Sequence, residues 1–190
     1  MTLISPIRNA FVALALSASV ASAQSGLLSA TATVSISAAK QASLTVTVNS
    51  GGTQTLASIT DNAVNTFATP VNITTAWDLH PSTAALVLVG YFATPAQALA
   101  NGTNYIASSL VRGRLGTTGA FNAFSGAAVT GGAATAGVAG GTLTLFSTTI
   151  NGTNKVSSRT DDLYLQLNLV GQTTTPGTYA GTLTLRAITQ

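Results

Sequence analysis

The sequence predicts an all-β protein, a single Ig-like or pilin-like antiparallel β-sandwich of about 7–9 strands. Two observations carry this reading. Apolar and polar residues alternate with period two in several stretches, each bounded by turn residues. Charged residues are only 6% of the chain and glutamate is absent, so the strongest polar helix formers are scarce while Thr and Val, which favour pleated surfaces, recur throughout.

The first 23 residues read as a cleaved secretory signal peptide. Arg8 precedes an apolar run that closes on Ala21-Ser22-Ala23, the small residues a signal peptidase requires, and the run is too short for a retained membrane helix. The mature chain then begins near Gln24 and forms one domain, with no transmembrane span after cleavage. Its expected location is extracellular or on the cell surface, reached through the periplasm if the cell is Gram-negative. The sequence has no cysteine, so stability must come from the core and from β hydrogen bonding, and a lipid-modified cysteine anchor is excluded.

The first strand expected lies at residues 28–38, where Leu28, Ala30, Ala32, Val34 and Ile36 form one apolar side and Ser and Thr the other. Leu44, Val46 and Val48 continue the pattern until Asn49-Ser50-Gly51-Gly52, which is turn chemistry. Further strands are expected at residues 53–59 and 71–77. Residues 84–93 are apolar on both faces, as a buried central strand would be. Residues 105–115 suit an edge strand. Residues 116–141, rich in Gly and Ala, read as a long surface loop or a pair of irregular edge strands. Strands resume at residues 143–150 and 162–170, and the last covers residues 178–188, entered through the turn pair Pro176-Gly177. Aromatic residues are 6% of the chain and scattered, unlike the paired girdles of an outer-membrane barrel.

Little in the sequence points to catalysis. Asp78, His80 and Ser82 are the residue types of a hydrolase triad, but alternate residues of one strand point in parallel, whereas a triad converges from separate segments. One histidine, no cysteine and four dispersed aspartates make no usual metal-ligand set, so no cofactor or metal is expected. After residue 23, six basic and four acidic side chains remain, a net +2. Arg112 and Arg114 are the one close basic pair, too little for a nucleic-acid footprint. Trp77 reads as core packing, with sugar stacking by it and by Tyr91, Phe92, Tyr105, Tyr164 and Tyr179 as the other use of such rings.

The run Pro176-Gly177-Thr178-Tyr179-Ala180-Gly181-Thr182-Leu183-Thr184-Leu185 resembles the closing strand of the spore coat U and fimbrial subunit group of exported bacterial β-sandwich proteins. Penultimate Thr189 stands where that group usually has an aromatic, and the group's common disulfide has no counterpart here. Trp77-Asp78-Leu79 is similar to the W-x-L segment of bacterial cell-surface β-sandwich domains. Both resemblances imply a non-enzymatic surface structural or adhesive protein, such as a fibre subunit, that self-associates or joins other surface subunits. Strand addition through Leu28, Ala30, Ala32, Val34 and Ile36 would be its mode of assembly. The alternative is a soluble secreted carbohydrate-binding module with a glycan as partner.

Overall fold

The computed structural model describes residues 31–190, and the chain divides into two units, Met1–Ala39 and Lys40–Gln190. The signal segment, Leu28 and Ala30 lie outside the described residues. In the first unit, residues 31–39 form no strand and are exposed, including Val34 at 83% and Ile36 at 90%. The period-two pattern of this segment therefore finds no partner strand among the described residues.

The second unit is all-β. Its strands are β1 (Ser43–Ser50), β2 (Val64–Thr66), β3 (Val71–Asp78), β4 (Ala85–Tyr91), β5 (Leu99–Asn101), β6 (Asn104–Ile106) and β7 (Val111–Leu115). They continue with β8 (Asn122–Ala123), β9 (Val129–Gly131), β10 (Ala134–Ala136), β11 (Thr142–Thr149), β12 (Val156–Asn168) and β13 (Thr184–Thr189). These thirteen exceed the number expected because six are ladders of two or three residues; the other seven have five residues or more. The six-stranded sheet has the order β1-β3-β12-β7-β8, with β2 also on β12, and a three-stranded sheet has the order β11-β4-β13; β5–β6 and β9–β10 form separate two-stranded ladders. All pairings within them are antiparallel.

Alternation explains how the sheets meet. Val71, Ile73, Thr75 and Trp77 of β3, with Leu163, Leu165 and Leu167 of β12, turn one face inward. All of these except Thr75 belong to the same hydrophobic core cluster as Leu86 and Leu88 of β4. Trp77 is 6% exposed and its indole Nε1 donates to the Asn154 carbonyl at 2.8 Å, so its polar edge is satisfied within the core. β4 is buried on both faces, as its sequence predicts: Val87 and Val89 pack on the opposite side with Ile188 and Ala136.

Ala136 comes from the Gly/Ala-rich segment, which follows the second of its two expectations, a pair of short strands rather than a long loop. β9 and β10 form a hairpin there, and Phe124 is fully buried against Phe92, with centroids 5.4 Å apart in an edge-to-face arrangement. Glycine permits the close approach of this hairpin, because a Cβ on Gly131 would collide with the Thr189 carbonyl of β13. Gly131→Ala should therefore destabilise by about 1–3 kcal/mol, the usual range for overpacking. Gly152→Ala, which meets nothing within 4 Å, should be nearly neutral; thermal melts of the two variants test the comparison.

Other expected elements are displaced. Residues 53–59 form no strand, residues 105–115 split at a short 3-10 turn, and the last strand begins at Thr184 rather than near residue 178. β7 also lies inside its sheet, between β12 and β8, instead of at an edge. Within the 3-10 turn Ser108 donates from Oγ to the Gly140 carbonyl at 3.0 Å, and ahead of Thr184 Ala180 makes an isolated bridge to Ala100.

Candidate functional site

A groove with apolar residues in its floor lies where the two larger sheets present terminal strands. β1 ends one sheet and β13 the other. Val48 of β1 and Leu185 of β13 both line a cavity of about 730 Å³. Irregular residues 52–59 continue one lip and residues 174–183 the other, while Phe67, Val71, Leu165 and Leu167 contribute to the lining. Val48 is 44% exposed, so the inward side of β1 is only partly covered.

The failure of two expected strands helps create this groove. Residues 52–59 make no backbone–backbone hydrogen bond among the described residues, and in residues 174–183 only Ala180 does so, with Ala100. Side chains hold these lips instead. The Asp61 carboxylate accepts from the Thr174 backbone N–H at 2.9 Å and from its hydroxyl at 2.6 Å, and Tyr179 donates to the Thr175 carbonyl at 3.1 Å. An apolar floor between lips with spare main-chain donors and acceptors is chemically suited to an extended peptide.

Of the five residues expected from sequence to act by strand addition, three are described. Ala32, Val34 and Ile36 are exposed and outside any strand, while Leu28 and Ala30 lie outside the described residues. The groove itself was missed by sequence reasoning, which assigned its lips to strands. Its signal is the polar interruption Gly51-Gly52-Thr53-Gln54-Thr55 and the run Thr173-Thr174-Thr175-Pro176-Gly177, each flanking apolar residues without a sustained alternation.

The other polar groups do not converge there. His80 Nδ1 and Ser82 Oγ are 2.6 Å apart, but Asp78 is engaged by Lys40 at 2.5 Å. The aromatic residues also divide: Phe92 is buried, Tyr105 is 46% exposed, Tyr179 lines the groove and Tyr164 lies near Arg114. No single sugar-stacking platform is formed by these rings. Among the described residues, no group of three His, Cys, Asp or Glu side chains converges as a metal site.

Comparison with protein-family models, curated proteins and solved structures finds no match.

Proposed function

We propose that this chain is an exported, non-enzymatic surface subunit that assembles by strand addition. In this reading, residues 28–36 of one copy enter the groove of the next, setting Leu28, Ala30, Ala32, Val34 and Ile36 against its apolar lining and pairing main chain with its lips. The observation that carries the proposal is the groove of about 730 Å³, with apolar residues in its floor and sparsely paired lips. Residues 31–39, exposed and without a strand, supply the matching extended sequence.

Length is compatible with transfer between neighbours. Cleavage before Gln24 leaves sixteen residues ahead of Lys40, and an extended chain of that length reaches roughly 50 Å. The resemblance of residues 176–185 to the fimbrial and spore coat U closing strand supports the same class. Electron microscopy of the purified mature protein provides the test. Fibres are expected; discrete monomers that bind polysaccharide would instead favour the secreted glycan-binding reading.

A further inference from the structure

The outer face of the larger sheet carries an arrangement unrelated to the groove. Arg112 and Arg114 lie two residues apart on β7, with buried Gly113 between them facing the core, so their side chains share the outer face at a Cα spacing of roughly 6.5–7 Å. Across the strand pair, Arg112 is in register with Gln166 and Arg114 with Tyr164. The four aspartates are engaged elsewhere. Asp78 pairs with Lys40 and Asp161 with Arg159, Asp61 accepts from Thr174, and Asp162 accepts from Asn72 at 2.6 Å. Among the described residues, neither Arg112 nor Arg114 has a carboxylate within salt-bridge distance.

Neutral groups hold both guanidiniums. That of Arg114 lies 4.4 Å from the Phe121 ring centroid and 5.7 Å from that of Tyr164, and its Nη1 donates to the Gly119 carbonyl at 3.0 Å. Its Nε is buried without a hydrogen-bond partner. With the Asn168 amide oxygen turned toward Arg112, that oxygen accepts from Nε at 3.3 Å and from Nη2 at 2.7 Å. The two side chains are thus positioned without an ion-pair partner among the described residues.

We propose that this face binds a carboxylated polysaccharide. A guanidinium presents a planar fork that matches a carboxylate, and the neighbouring Gln166 and Asn168 amides suit sugar hydroxyls. Phe121 and Tyr164 supply apolar ring surface beside the charges. Nucleic acid is the weaker match because two arginines with Asp162 on the same face do not form a continuous phosphate-tracking stripe. This inference does not depend on assembly by strand addition.

The test is calorimetric titration of the mature protein with a polygalacturonate oligomer, its fully methyl-esterified form and a single-stranded DNA oligonucleotide. Binding to polygalacturonate is expected, at least tenfold weaker for the esterified form and for DNA. Arg112→Gln and Arg114→Gln should each weaken it at least tenfold, whereas Arg186→Gln on β13 should leave it unchanged. Melting curves establish that the variants remain folded; if Arg114→Gln does not, Arg112→Gln alone decides. Absence of polygalacturonate binding, equal affinity for the ester, tighter binding of DNA, or full affinity in Arg112→Gln would overturn the proposal.

Discussion

Val34→Asp should leave the Lys40–Gln190 unit folded and abolish assembly. Val34 is 83% exposed, and an exposed substitution outside a packed element usually changes stability by no more than about 0.5 kcal/mol. In the proposed assembly the same position enters an apolar groove, where an unpaired carboxylate costs several kcal/mol. Each ~1.4 kcal/mol is a factor of ten in affinity, so association should weaken at least a hundredfold. Sedimentation of the wild type and variant, alongside melting curves, separates the effects. A variant that unfolds would place Val34 in its own core, and one that assembles normally would remove the alternating segment from the mechanism.

Phe124→Ala should produce the largest loss of stability among single truncations in the Gly/Ala-rich segment. Phe124 is fully buried and meets Phe92 edge-to-face, so removing the ring deletes apolar burial and leaves a cavity. Such truncations cost about 3–5 kcal/mol, a substantial part of the 5–15 kcal/mol typical of a domain's whole stability. For a domain of this size the melting temperature should fall by roughly 6–20 °C. Phe121→Ala provides a comparison, because Phe121 is only partly buried and stacks on Arg114. A Phe124→Ala melt indistinguishable from wild type would mean that the segment is peripheral to the core.

These contrasting phenylalanines illustrate what was legible in the sequence. Alternation marks β1, β3, β11 and much of β12 because one side of each faces the core, while β4 is legible as a continuous apolar run. The burial of both faces of β4, with Leu86 and Leu88 on one and Val87 and Val89 on the other, is visible in that run. What covers the Val87 and Val89 face is not, because composition records the glycines of residues 116–141 without recording that Gly131 brings a hairpin against β13. Phe121 and Phe124 are the two large residues of that low-complexity segment, and the burial of Phe124 alone comes from tertiary packing with Phe92.

The candidate site was only half legible. The alternation through Ala32, Val34 and Ile36 marks the segment proposed to add as a strand, whereas the groove proposed to receive it lies where residues 53–59 and 178–183 join no regular ladder. Local β propensity reads such residues as strands because it cannot account for the missing partner. Charge gave a similarly incomplete view: Arg112 and Arg114 are adjacent in the sequence pattern, whereas the neutral groups that hold them come from residues 119, 121, 164 and 168.

Cysteine trapping tests the central claim most directly, since the chain has no cysteine of its own. Val34→Cys would be mixed with a second preparation carrying Thr178→Cys, Thr182→Cys or Leu56→Cys at the groove, and oxidised under conditions that permit subunit exchange. Strand addition between copies predicts a covalent heterodimer for at least one groove position, lost when Ile36→Asp is added to the donor chain. If no mixture yields that heterodimer, while Val34→Cys and a groove cysteine in the same chain form an intramolecular disulfide, the segment completes its own sandwich and the intermolecular account is contradicted.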